Sequence, residues 1–528
     1  MPGKVRVLIA DELSPQATEI LRARGIQADV RPGLSPAELS AAIPEYDGLA
    51  VRSATKVDAA IIAAGIRLKV IGRAGIGIDN IDLATATQRG IVVMNTPHGN
   101  SVTTAEHAIA LMFALARQVP AADRSTRAGK WEKSRFLGVE LTGKSLGIIG
   151  CGNIGSIVAD RAQGLKMKVL AFDPYLSDDR ARNLGVEKLG LDELLARADF
   201  LTLHTPLNEG TRHIINAAAL AKVKRGVRII NCARGELVDE HELKAAIESG
   251  IVAGAALDVF AKEPARDNPL FALDQVVATP HLGASTVEAQ EKVAIQVAEQ
   301  MADFLLSGTV TNALNMPSVT AEEAPRLRPH MELARLLGSF AGQLTQSSLQ
   351  AVMVEYEGQA AQLNTRPLTA LALSGLLAPL LDSVNMVSAP LLARERNISV
   401  SEVKHDRPSD YQTLIRLTVT TDRQTRAVAG TLFSGNRPRL VEVKGIPIEA
   451  ELGRHMLYIT NRDRPGFIGR LGTLLGEAAI NIATFHLGRA TAGADAIALI
   501  EVDQLVTDEI LESIRGISDV MQATALNF

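Results

Sequence analysis

A chain of 528 residues is too long for one hydrophobic core and calls for about three or four domains. Its 47% apolar and 22% charged content is that of a globular protein, and a formal net charge of −4 gives no basis for expecting a nucleic-acid partner. No apolar run reaches membrane-spanning length, and the opening MPGKVRVLIAD enters a strand pattern directly, so neither a membrane span nor a signal peptide is expected.

In chain order, short apolar strands alternate with amphipathic helices. The first strands read Val5 to Ala10, Gly48 to Val51, Leu68 to Gly72 and Ile91 to Asn95. The helix Thr103 to Ala116 (TTAEHAIALMFALA) is apolar around most of its surface, which predicts burial under a second domain or at a subunit interface. Next comes LGIIGCGNIGSIVADRAQGLKMKVLAFD, residues 146–173. Strand Leu146 to Ile149 leads into Gly150, Gly152 and Gly155, then a helix from Asn153, then strand Lys168 to Phe172, closed by Asp173. Gly150 permits the tight turn, Gly152 lets a pyrophosphate approach the backbone at the helix N-terminus, and Gly155 lets helix and strand pack closely. Asp173 can accept hydrogen bonds from the adenine-side ribose and repels a 2′-phosphate, so NAD is expected rather than NADP. Further strands are Phe200 to His204, Val227 to Asn231, Ala255 to Val259 and Val276 to Ala278. The rhythm predicts two domains with parallel sheets. Both cysteines, Cys151 and Cys232, lie in the nucleotide-type segments. That favours buried fillers over a structural disulfide and fits a cytoplasmic protein.

From Ser318 the composition changes, and Pro317, Pro325 and Pro329 read as a linker. A middle segment to about Ala450 holds strand-like Gln350 to Glu355 and Leu414 to Thr420, and an Ala/Leu-rich helical stretch from Thr369 to Leu381. From about Gly453 the pattern is βαββαβ, a small ferredoxin-like module.

Three residues just past strand ends form a reaction set. Arg234 (NCARGELVDE) can clamp a carboxylate, His281 (TPHLGAST) can take a hydroxyl proton, and Glu263 (FAKEP) can fix and charge-stabilise that imidazole. NCARGELVDE, LDVFAKEP and TPHLGAST resemble the signatures of the NAD-dependent D-2-hydroxyacid dehydrogenases, over nearly all of residues 1–316. The resemblance implies catalytic Arg234, Glu263 and His281, with NAD contacts from Asn153, Ile154, Thr205, Pro206, Cys232, Ala233, Asp258, Gly283 and Ala284. It also implies an α/β fold in which a Rossmann NAD domain (99–284) is inserted in a flavodoxin-like substrate domain (1–98 and 285–316).

RSATKVD and GRAGIGIDNID, with Arg52, Ser53, Arg73, Gly75 and Asn80, resemble the substrate segments of the phosphoglycerate dehydrogenase branch. The extra cations suit a phosphorylated acid such as 3-phosphoglycerate, and Lys133 and Arg135 in KWEKSRF are candidates for reaching a neighbouring subunit's pocket. VNMVSAPLLARERNISVSE resembles the intervening domain of the long-form enzymes (here 317–452). NRDRPGFIGRLGTLLGEAAINI resembles an ACT domain (453–528), in which Asn461, Asp463 and Asn481 fall where relatives contact an amino-acid effector, serine. The resemblance implies a homo-oligomer, a tetramer built from helix and ACT contacts, and no resident metal. Two alternatives stay open: another hydroxyacid dehydrogenase, acting on glyoxylate, hydroxypyruvate or 2-oxoglutarate, and a non-catalytic NAD-sensing binding protein.

Overall fold

A computed structural model describes residues 4–97, 99–320, 322–381, 384–405 and 410–528. Position 98, where the boundary between the first two domains is expected, lies outside the described residues.

The first sheet is parallel and holds β1 (Arg6–Ile9), β2 (Gln27–Val30), β3 (Gly48–Val51), β4 (Val70–Arg73) and β5 (Val92–Met94), in the order β2-β1-β3-β4-β5. This is the flavodoxin-type order. Helices cover both faces, so β3 and β5 are buried along their whole length and read as unbroken apolar runs. The helix Val287–Ser307 returns to this sheet from far down the chain. Its Val293, Val297 and Met301 join Val7, Ile9 and Val70 in one core.

The second sheet is also parallel. It holds β6 (Ser145–Ile149), β7 (Lys168–Phe172), β8 (Glu187–Lys188), β9 (Phe200–Leu203), β10 (Val227–Asn231), β11 (Val252–Leu257) and β12 (Val276–Ala278), in the order β12-β11-β10-β9-β6-β7-β8. Chain direction across the sheet reverses between β6 and β9, and a crevice opens beyond their carboxyl ends. The helix Ser101–Arg117 is buried on one side only, through Thr104, Ala105, Ala108, Leu111, Met112 and Leu115. Val102 and Phe113 face outward from the single chain.

The third sheet contains β13 (Leu349–Gly358), β14 (Ser399–His405), β15 (Thr413–Thr421), β16 (Thr425–Phe433), β17 (Arg437–Val443) and β18 (Ile446–Ala450). Its order is β14-β13-β15-β16-β17-β18, with β13 and β14 parallel and the other pairs antiparallel. The linker expected around Pro325 and Pro329 is instead the first part of the helix Ala324–Gln343. Pro325 sits in the first turn, where a missing N–H costs nothing. Pro329 lies inside the helix, which forms despite it because Leu327, Leu333, Leu337 and Phe340 all enter the core. This unit also reaches back to the first domain: Asn385 Nδ2 donates to the Gly90 carbonyl at 2.9 Å, and Val387 enters that domain's core.

The last sheet is antiparallel: β19 (His455–Arg462), β20 (Ile482–Arg489), β21 (Asp495–Val502) and β22 (Val520–Asn527), in the order β20-β21-β19-β22. The helices Phe467–Glu477 and Asp508–Arg515 share a core with one face, through Phe467, Leu471, Leu475 and Leu511. The other face meets the helix Ala324–Gln343, with Phe340 edge-on to Tyr458 at 5.7 Å between ring centroids.

Candidate active site

The glycine turn after β6 is built for close approach. Gly150 has φ +93°, and a Cβ there would stand 2.6 Å from the His204 carbonyl oxygen. A Cβ on Gly155 would stand 2.1 Å from the Gly150 oxygen, so helix Asn153–Gly164 touches the turn backbone. At Gly152, by contrast, a Cβ would meet nothing within 4 Å. The backbone there faces open space at the helix N-terminus, where a pyrophosphate fits. Asn153 and Ile154 open that helix, while Thr205 and Pro206 follow β9 on the facing side of the turn. Asp173, at the end of β7, accepts from the Cys151 and Tyr175 N–H groups, both at 2.8 Å. It thereby ties the second strand to the glycine turn. Cys232 and Ala233 follow β10. Both cysteines are free and buried; burial first, then Asp173 for Cys151 and Asp258 for Cys232, pushes their thiols up. Both therefore remain protonated fillers. Gly150→Ala is expected to weaken dinucleotide affinity roughly 5- to 150-fold, on the order of 1–3 kcal/mol of backbone strain, and calorimetric titration with NAD checks it.

His281 lies three residues past β12 with φ +56°. Its Nδ1 meets Glu263 Oε2 at 2.7 Å, and Glu263 Oε1 accepts the Phe260 N–H at 3.0 Å. The Glu263 bond raises the His281 pKa against the opposing effect of burial. Burial alone would raise Glu263, but the bonds from His281 and Phe260 hold it below the usual carboxylate range. With Nδ1–H given to the carboxylate, Nε2 is left as the basic nitrogen. Asp258, fully buried after β11, receives the Thr279 hydroxyl (2.6 Å), Leu282 N–H (2.7 Å) and Gly283 N–H (2.8 Å). It thus shapes the loop from His281 through Gly283 to Ala284.

Arg234 caps the turn after β10 and crosses to the first domain, where its Nε donates to Asp79 Oδ2 at 3.0 Å. Arg73 ends β4. Burial first, then repulsion from Arg234 and Arg52, pushes its pKa down to about 10. Its buried Nε has no partner among the described residues. Gly75 leaves room for it: a Cβ there would be 2.2 Å from Arg73 Nη1. Arg52 and Ser53 lie on a loop held by Asp11, which accepts from the Arg52 N–H at 2.6 Å. Asn80 Nδ2 donates to the Arg52 and Thr55 carbonyls at 2.8 and 2.7 Å, so Asn80 braces that loop. Arg234 and Arg52 thus stand near enough to Arg73 to repel its charge, and Arg234 also neighbours His281 of the His281–Glu263 pair.

Other expected site residues lie apart from this cluster. Arg135 pairs with Glu132 and with Asp274, at the end of β12 away from His281. Lys133 is exposed on the same short turn. In the last domain Asn461 and Asp463 sit at the carboxyl end of β19, where Asp463 binds Arg489 at 2.8 Å. Asn481 precedes β20 and bonds to Asp503 at the opposite end of the sheet. One copy therefore does not bring Asn481 to Asp463.

Sequence reasoning missed Asp11, Asp79, Thr96, Thr104 and His107. Thr96 Oγ1 accepts the Gly75 N–H at 2.7 Å, and Thr104 Oγ1 donates to the Gly283 carbonyl at 2.8 Å. The available signal for the last two was polar residues at i and i+3 on a mostly apolar helix.

Residues 109–283 match the family model for the D-isomer specific 2-hydroxyacid dehydrogenase NAD binding domain. Residues 326–444 match the D-3-phosphoglycerate dehydrogenase intervening domain, and residues 455–519 the ACT domain. A D-3-phosphoglycerate dehydrogenase of Synechocystis is 43% identical over 520 residues, covering 98% of this chain and 94% of the relative. One from Bacillus subtilis is 41% identical, covering 99% of each. The solved D-lactate dehydrogenase of Aquifex aeolicus, complexed with NAD and lactic acid, is 28% identical with a TM-score of 0.53 over 59% of this chain and all of that one. End-to-end likeness at this identity, across the catalytic and both C-terminal units, means that the chain belongs to the D-3-phosphoglycerate dehydrogenase family.

Proposed function

We propose that this chain oxidises D-3-phosphoglycerate to 3-phosphohydroxypyruvate with NAD, the first step of the phosphorylated route to L-serine. The convergence of Arg52, Arg73 and Arg234 on one cleft beside the His281–Glu263 pair carries this reading. Residues 150–284 would hold NAD, which would supply the acceptor for the C2 hydride. Arg234 exchanges its contact with Asp79 for the substrate carboxylate. Arg73, with Arg52, receives the phosphate. His281 Nε2 takes the C2 hydroxyl proton, and Glu263 stabilises the imidazolium that results. The four-domain division at 1–98 with 285–316, 99–284, 317–452 and 453–528 is part of this proposal.

The pH dependence has a definite sign. Oxidation needs neutral His281, whose pKa Glu263 raises. Glu263→Gln removes that effect, so the rising limb of kcat/KM for oxidation is expected to move to lower pH. For reduction of the keto acid, which needs the imidazolium, the falling limb moves the same way. pH–rate profiles in both directions check it.

We also propose that the last domain binds L-serine between two copies. Antiparallel pairing of β20 with β20 of a second copy would carry Asn481 of one copy to the end of the sheet that holds Asn461 and Asp463 in the other. Exposed Phe113, Val119, Trp131 and Leu137 provide a separate apolar surface for pairing, so a homotetramer is the assembly proposed, in the cytoplasm. Among the described residues no helix is long and apolar enough to cross a membrane. The deciding experiment compares NADH formation from 3-phosphoglycerate, D-glycerate and D-lactate, with and without L-serine. Equal rates with the unphosphorylated acids would overturn the substrate assignment, and a rate indifferent to serine would overturn the effector assignment.

A further inference from the structure

We propose that His107 is a positioning residue for the reaction, acting on His281 through Asp258. The proposal rests on the dehydrogenase reading above. His107 lies on the helix Ser101–Arg117, the element that follows the first crossing between the two α/β domains. Its Nε2 stands 3.2 Å from Asp258 Oδ1 and 3.3 Å from Thr279 Oγ1. The Thr279 hydroxyl gives its own proton to Asp258 at 2.6 Å, so both atoms facing Nε2 are acceptors. Nε2 therefore carries hydrogen and donates.

Asp258 is a carboxylate with no exposed surface, and such a group is held ionised only by donors around it. Burial alone would raise its pKa; His107 is the foremost group that instead holds it below the usual range. The remaining donors all belong to the segment that carries His281. Besides the Thr279, Leu282 and Gly283 bonds to the carboxylate, the Asp258 carbonyl accepts the His281 N–H at 2.9 Å. His281 itself has a left-handed φ that a non-glycine residue keeps only when its surroundings enforce it. The same helix grips this segment twice more, through Thr104 to the Gly283 carbonyl (2.8 Å) and Thr103 to Thr286 (3.3 Å). Thr286 caps the helix Val287–Ser307, which makes the second crossing. His107 thus sits where both crossings are bolted together: its Nε2 donates to the Thr279 hydroxyl, which itself donates to Asp258, and stands 3.2 Å from the carboxylate that shapes the loop.

A core histidine that merely fills space is the competing reading, and the two differ in what rescues the loss. Gln presents a side-chain N–H near the place of Nε2, whereas Leu presents none. The full-length enzyme, His107→Leu and His107→Gln are compared in 3-phosphoglycerate oxidation with NAD, using C2-protonated and C2-deuterated substrate. His107→Leu is expected to lower kcat at least tenfold, towards the roughly 10²-fold that about 1 Å of misplacement costs, while KM and NAD affinity change less than about threefold. The deuterium isotope effect on kcat rises, because the hydride step becomes the slow one. His107→Gln returns kcat to within about threefold of the parent. An unaltered kcat in His107→Leu overturns the proposal. So does a Gln variant as slow as the Leu variant, or a loss confined to NAD affinity with the isotope effect unchanged. A parent enzyme inert towards 3-phosphoglycerate removes the functional reading itself, a result distinct from any of these.

Discussion

His281→Ala is expected to lower kcat for 3-phosphoglycerate oxidation by about 10²- to 10⁴-fold, the range a positioned general base contributes, while NAD affinity measured by titration stays near that of the parent. The expectation follows from where the residue sits. Among the described residues the His281 side chain hydrogen-bonds to Glu263, and to none of the glycine turn, Asp173 or Thr205. Removing the imidazole takes away the proton acceptor and leaves the nucleotide crevice intact. The proton would then leave to water, a far weaker base than an imidazole whose affinity Glu263 raises. On the proposed assignment Arg234, Arg52 and Arg73 remain to bind the substrate anion, so the loss is expected in kcat more than in KM. Turnover within a fewfold of the parent would remove His281 from the mechanism, and parallel loss of NAD affinity would mean that the residue holds the loop rather than the proton.

The parts of the fold legible in the sequence are those where burial leaves little choice. Lys168–Phe172 and Val227–Asn231 stand where their apolar runs place them, because a parallel strand inside a sheet covered on both faces is apolar along most of its length. The strands β2 (QADV) and β8 (EK) were not legible: both lie at sheet edges, half or more exposed, and carry no apolar signature. Pro329 misled for the opposite reason, since tertiary packing of Leu333, Leu337 and Phe340 outweighs a local helix penalty. In the site, Arg234, Glu263 and His281 were visible because each follows a strand end. The contacts that tune them join positions such as 79 and 234, or 107 and 258, and a single sequence does not print those pairings. The same holds for Asn481: strand direction, which only the paired sheet shows, puts it at the far end from Asp463.

Arg73→Ala is expected to lower kcat/KM for 3-phosphoglycerate by roughly 10- to 150-fold, the equivalent of about 1.5–3 kcal/mol for a lost charge-assisted hydrogen bond. Turnover of unphosphorylated D-glycerate should change little. Of Arg52, Arg73 and Arg234, Arg73 is the one left least satisfied: its Nε is buried with no partner among the described residues, and the other two arginines raise the cost of its charge. Arg234 by comparison has Asp79, and Arg52 lies on an exposed loop. A cation kept in that condition is an arrangement for an incoming anion, and a phosphate dianion relieves more of the repulsion than a hydroxyl does. Arg73→Lys should recover only part of the loss, because one ammonium cannot reproduce the planar donor set of a guanidinium. Equal losses for phosphorylated and unphosphorylated acids would place Arg73 against the carboxylate shared by both, and the phosphate would then have to rest on Arg52 or on cations from a neighbouring copy.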